Sequence, residues 1–175
     1  PARRRPPMSG TPPRVRSVPT AALTAAEVAA LRELLTEAFA GDEHGGFTDD
    51  DWEHALGGTH VLAEEDGRIV GHAAVVERDI RVDGRALRTG YVEAVATAVG
   101  RQRQGIGSAV MDAVAGHLAA YELGVLGTGS HGFYHRLGWE TWRGPSSVRT
   151  ADGEMPTPEE DGYLLVLRTP LSPPL

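Results

Sequence analysis

The sequence predicts an α/β sandwich, a central mixed and mostly antiparallel sheet flanked by helices. Three observations carry that expectation. Between residues 60 and 98, strand-like runs are separated by tight-turn dipeptides, as consecutive antiparallel strands would be. From Ile106 to Leu118 the apolar residues recur at helical spacing. Strand, helix and strand patterns then follow in turn to residue 167, which makes the sheet mixed.

The elements follow in order. Thr24 and Glu27 form a T-x-x-E capping box, and Val28, Leu31, Leu34, Leu35 and Phe39 share one face of the helix it opens, which Gly41 can end. A second, short helix starts at Thr48. Its first turn carries Asp49, Asp50 and Asp51, favourable to the helix dipole. Strands are expected over His60 to Ala63 and Arg68 to Arg81 around a turn at Glu65-Asp66-Gly67, and over Leu87 to Ala98 after an Asp83-Gly84 hairpin turn that needs positive φ. In the long helix Ile106, Ala109, Val110, Ala113, Val114, His117 and Leu118 would face the sheet. Gly124 to Gly127 reads as a short buried strand, His131 to Leu137 as a short helix closed by Gly138, and Tyr163 to Leu167 as a last strand.

Residues 1–19, rich in Pro and Arg without apolar period, read as a disordered arm. A single domain over 20–170 and a loose, Pro-containing end at 171–175 complete the division.

Composition narrows the chemistry. With no cysteine in 175 residues, thiol catalysis, disulfides and thiolate metal sites are excluded. Seven histidines show no H-E-x-x-H or comparable pair, so no metal site is expected. The net charge of −7 argues against a nucleic-acid surface and fits a small polycationic partner. No apolar run approaches the length that spans a bilayer, so no membrane association is expected and a cytoplasmic location is the default.

The most informative segment is the strand Tyr91 to Thr97 followed by Gln102-Arg103-Gln104-Gly105-Ile106-Gly107. Here a strand enters a glycine-containing turn that opens a long helix. Free N–H groups at such a helix start, approached closely because glycine has no side chain, suit a pyrophosphate. The spacing is neither G-x-G-x-x-G nor G-K-[ST], so dinucleotide and triphosphate readings lack support.

Gln102-x-x-Gly105-x-Gly107 resembles the Q/R-x-x-G-x-G/A loop of the GNAT acetyltransferases. The segment Phe133-Tyr134-His135-Arg136-Leu137-Gly138-Trp139 resembles that family's F/L-Y-x-x-x-G-[WF] element, in the right order and about thirty residues on. The resemblance implies the GNAT fold and acetyl-CoA as cosubstrate. Val95, Ala96 and Thr97 would bond the pantetheine arm, and Gln102, Arg103, Gln104, Gly105, Ile106 and Gly107 would grip the pyrophosphate.

Three further strings are similar to aminoglycoside 2'-N-acetyltransferases: Phe47 to Gly58 with Trp52-Glu53-His54, Ala86 to Glu93, and Arg143 to Val148. That likeness implies an aminoglycoside acceptor, a role in antibiotic resistance and, since relatives are commonly dimeric, admits a homodimer. Glu93 would be the catalytic base, working through ordered water because an ordinary glutamate is weak against an ammonium group. Tyr134 would protonate or hydrogen-bond the departing thiolate. Asp42, Asp51, Glu93, Ala94, Glu159 and Glu160 would receive the polycation. Two alternatives stay open: an acetyltransferase for another small amine, amino sugar or peptide N-terminus, and a silent acyl-CoA-binding module.

Overall fold

The computed structural model describes residues 12–41 and 45–175. Nine strands and four α-helices follow one another as β1 (Arg14–Pro19), α1 (Ala25–Ala38), α2 (Asp49–His54), β2 (Thr59–Glu65), β3 (Arg68–Val82), β4 (Arg85–Thr97), α3 (Ile106–Leu118), β5 (Leu123–Gly127), α4 (His131–His135), β6 (Glu140–Thr141), β7 (Ser147–Thr150), β8 (Gly153–Pro156) and β9 (Leu164–Arg168). Seven strands form one sheet in the order β1-β2-β3-β4-β5-β9-β6, and β7 with β8 makes a separate hairpin. All pairs in the sheet are antiparallel except β4 with β5. Helix α3 supplies the crossover that a parallel pair requires.

Local chemistry sets these elements as expected. Thr24 caps α1, its hydroxyl accepting from Glu27 N–H while the Glu27 carboxylate takes the Thr24 N–H, and Thr48 and Asp51 repeat that reciprocal cap at α2. The turns Asp66-Gly67 and Asp83-Gly84 hold both residues at positive φ, the conformation of a two-residue hairpin.

Three apolar clusters line the sheet, two of them beneath helices and a third built on Leu87, Leu123, Val125 and Val166. Leu31 and Leu35 of α1 and Trp52 of α2 bury against Leu62 and Ala96 on one face. Ile106, Val110, Val114 and Leu118 of α3 bury against Val61, Val75 and Val92 on the other. Close approach of α3 depends on flat strand positions: a Cβ on Gly90 would lie 2.4 Å from the Leu118 side chain.

The architecture corrects the arm expected over residues 1–19. Arg14–Pro19 is an edge strand, paired with β2 from Arg14–Glu64 to Pro19–Thr59 and anchored by Arg16 bound to Glu27 and Glu64. Strand pairing and two carboxylates hold this segment, and a helical or alternating apolar signal was not needed. Residues 1–11 lie outside the described residues. At the other end, Ser172 Oγ donates to the Glu122 carbonyl, so part of the expected loose end is tied down. The β7–β8 hairpin and the two-residue β6 also went unforeseen, being short and mostly exposed.

Candidate active site

The site grows from an irregularity in β4. The β3–β4 register passes from Ala74–Glu93 to His72–Ala96, so β4 carries one extra residue there, and Ala94 sits at φ +52°. The side-chain alternation shifts accordingly. Val92 packs with α3, Ala94 and Ala96 pack on the α1–α2 side, and Val95 is again on the α3 side.

Next to the bulge the sheet opens. Strand β4 pairs with β5 only from Thr89–Leu123 to Tyr91–Val125, although β4 continues to Thr97 and β5 to Gly127. The residues from Val92 to Thr97 therefore run along a gap between two diverging parallel strands, with their β5-facing backbone groups outside any ladder.

At the end of this gap stands the start of α3. Gly105 is its N-cap at φ +88°, and Arg103 is also left-handed at φ +60°. The first intrahelical bond runs from Ala109 N–H to the Gly105 carbonyl, which leaves the N–H groups of Ile106, Gly107 and Ser108 directed at the helix entrance. An anion there meets backbone donors and the positive end of the helix dipole. Gln104 is spent on the loop itself, accepting from Arg101 Nε and donating to the Gly100 carbonyl, whereas Gln102 and Arg103 are exposed. A Cβ on Gly107 would lie 3.4 Å from both the Phe133 ring and Thr97 Oγ1, so α3, α4 and β4 converge on this point.

Tyr134 is carried into the same region by α4. It is 7% exposed, edge-on to Phe133 and to Trp139, and burial pushes its phenol up to about 12. The phenol is thus protonated at neutral pH and available as a proton or hydrogen-bond donor.

Glu93 lies on the α1–α2 side and receives Arg78 Nη2 at 3.0 Å; the same nitrogen donates to the His54 carbonyl at 3.2 Å. Burial raises the Glu93 carboxyl above the ordinary glutamate range, while the positive charge of Arg78 opposes that shift. Asp51 is close enough to Glu93 to push it in the same upward direction, although one of its carboxylate oxygens also caps α2. Glu160 is half-buried and close enough to Tyr91 to help raise that phenol, whereas Glu159 is exposed. The structure thus brings Asp51 to Glu93 and turns Glu160 toward Tyr91; Asp42 lies outside the described residues.

Three participants were not legible beforehand. Arg78 lies 5.1 Å from the Tyr91 ring centre as it binds Glu93. Tyr91 and Tyr163 flank Gly127, whose Cβ would fall 2.9 Å from the Tyr163 ring. Alternation along β4 could have put Tyr91 beside Glu93, but no local signal reports a partner on β3. Beyond Tyr91 a cavity of about 550 Å³ opens under the β7–β8 hairpin, lined by Asp79, Trp142, Glu154 and Glu160 among others. Its size suits a sugar-sized ligand. Among the described residues no group of three or more His, Asp and Glu could hold a metal ion.

Comparisons with known proteins agree with this geometry. The family described as acetyltransferase (GNAT) domain matches residues 20–142. An aminoglycoside 2'-N-acetyltransferase from Mycolicibacterium fortuitum is 47% identical over 139 residues, 78% of this chain and 69% of that protein. A GNAT family acetyltransferase from Brucella melitensis, solved in complex with acetyl-CoA, superposes with a TM-score of 0.63 at 19% identity, covering 92% of each chain. A probable N-acyltransferase from Enterococcus faecalis V583 superposes with a TM-score of 0.61 at 19% identity, over 75% of this chain; the present chain spans only 33% of its length. The splayed parallel strands, the uncapped glycine turn at α3 and the family match together assign the chain to the GNAT acetyltransferases, enzymes that use acetyl-CoA.

Proposed function

We propose that the chain transfers an acetyl group from acetyl-CoA to the 2'-amino group of an aminoglycoside. The relative at 47% identity carries this reading, because its likeness spans the strings that bear Asp51, Glu93 and the α3 turn. The carboxylates Asp51 and Glu93 on the α1–α2 side of the sheet and Glu160 beside Tyr91, in a chain of net charge −7, support a polycationic acceptor.

The residues divide the work as follows. Glu93, raised by burial, removes a proton from the acceptor ammonium through ordered water, and the freed amine nitrogen attacks the thioester carbon. Backbone N–H of Val95 stabilises the oxyanion, and the N–H groups of Ile106 and Gly107 with the loop from Gln102 to Gly105 hold the pyrophosphate. When the C–S bond breaks, Tyr134 supplies the proton or hydrogen bond that the sulfur needs. On this reading the protein works in the cytoplasm and confers antibiotic resistance, and the likeness admits a homodimer; no described helix is long and apolar enough to cross a membrane.

The test is regiochemical. Tobramycin and gentamicin, which carry a 2'-amine, should release coenzyme A from acetyl-CoA and gain one acetyl group at that nitrogen. Amikacin and kanamycin A carry a hydroxyl there and should be inert. Mass spectrometry with NMR localisation of the acetyl reads the outcome, and equal turnover of both groups would sink the 2' assignment.

A further inference from the structure

Beneath α1 and α2, two fully buried histidines join a threonine to the bulge of β4. Thr20 Oγ1 lies 2.9 Å from His60 Nε2, His60 Nδ1 lies 2.9 Å from His72 Nε2, and His72 Nδ1 lies 2.8 Å from the Ala94 carbonyl oxygen. The chain starts just after β1, crosses the sheet on β2 and β3, and ends on β4 at the residue with φ +52°.

The last link fixes every proton in the chain. A carbonyl can only accept, so His72 Nδ1 carries the hydrogen and donates it. Burial holds the His72 ring neutral, down at about 3, so its Nε2 is a bare acceptor. His60 Nδ1 must then be the donor to it, which leaves His60 Nε2 as an acceptor; the one Thr20 hydroxyl proton goes to it at 2.9 Å, the Gly58 carbonyl being more distant at 3.3 Å. Burial lowers His60 as well, consistent with a neutral ring. Gly57 N–H donates to the Thr20 oxygen at 3.0 Å, so the hydroxyl is itself held in place.

We propose that His72, oriented by His60 and Thr20, is a positioning residue that holds the Ala94 peptide in its bulged conformation and thereby keeps Val95 to Thr97 aligned for acetyl-CoA. The bulge sacrifices ladder bonding at Ala94 and places a non-glycine residue in the left-handed region, an arrangement that persists only where neighbouring contacts enforce it. His72 supplies that contact at the carbonyl which the extra residue takes out of the ladder. A slip of one residue would move Val95 to the wrong face and close the strand up. This inference rests on the proposed role of Val95 to Thr97, and its test separates the two.

The experiment combines histidine ring ¹⁵N NMR on the whole chain with calorimetry of acetyl-CoA binding. In wild-type protein at pH 7 the His60 and His72 rings, assigned by loss of each signal in His60→Gln and His72→Asn, should both be neutral Nδ1–H tautomers. A charged ring or an Nε2–H tautomer at either position overturns the chain of donors, whether or not acetyl-CoA binds. His72→Asn keeps an amide N–H near the former Nδ1 and should bind acetyl-CoA within about threefold of wild type. His72→Leu fills more of the space but offers no donor, and should weaken binding about tenfold or more with a matching rise in KM. Leucine binding as well as wild type, or asparagine weakening binding as much as leucine, makes the ring mere packing and overturns the proposal. Should His72→Leu fail to fold, the wild-type tautomers and the asparagine affinity still decide it.

Discussion

Arg78 holds Glu93 at 3.0 Å while its guanidinium lies 5.1 Å from the centre of the Tyr91 ring, so one cation sets both the charge and the position of the proposed base. The opposing influences on Glu93 are then separable. Burial raises its carboxyl and Arg78 restrains the rise. Arg78→Met keeps the stem's packing and removes the charge, so the Glu93 carboxyl should rise further. The base is active when deprotonated, and the acidic limb of the kcat/KM profile should therefore move to higher pH. Glu93→Gln should slow turnover at neutral pH and abolish that limb. A limb that stays in place in Arg78→Met would show that another group is the base.

Tyr134→Phe preserves the edge-on packing with Phe133 and Trp139 and deletes only the donor. The maximal rate should fall about 10²-fold with acetyl-CoA affinity near wild type. Since the phenol is pushed up to about 12, the wild-type rate should show no loss of this acid up to at least pH 9. Single-turnover kinetics across pH measure both.

Gly107→Glu should abolish acetyl-CoA binding in a folded protein. Its Cβ alone would sit 3.4 Å from Phe133 and Thr97 Oγ1, and its carboxylate would add negative charge at the helix entrance. Calorimetry decides it, with circular dichroism to establish folding. Binding at wild-type affinity would put the pyrophosphate elsewhere.

Acid should destabilise the fold before most carboxylates titrate. His72 is held down at about 3 in the folded chain against about 6.5 when unfolded, so between those values the unfolded state binds the extra proton. Stability from this ring is fully present above pH 6.5 and falls as pH drops, at up to about 1.4 kcal/mol per pH unit. Urea denaturation should therefore give about 2 kcal/mol less stability at pH 5 than at pH 7 from His72 alone, with His60 acting in the same direction. In His72→Asn the difference should shrink. Equal slopes in wild type and variant would contradict a neutral buried ring.

What the sequence determined by itself was whatever short-range chemistry specifies. Thr24 with Glu27 capped α1, Asp83-Gly84 turned β3 into β4, and the period from Ile106 to Leu118 marked α3, because a cap, a hairpin turn and an amphipathic stripe each form among residues within one or two turns. The glycine turn before α3 and the Tyr134 segment were legible for the same reason, and the family match over residues 20–142 covers both. Only the tertiary structure decided the rest. Arg14–Pro19 became a strand through pairing with β2, forty residues and more away. Arg78 met Glu93 by reaching diagonally across β3 and β4, since Arg78 itself pairs with Thr89, and the bulge beyond Glu93 then shifted the register to His72–Ala96, which no local pattern encodes. His60 and His72, read one by one, suggested nothing beyond a metal pair to be discounted. Their hydrogen-bonded line exists because three strands place two rings and one strained carbonyl side by side, where exclusion of water leaves each polar atom only the next as its partner.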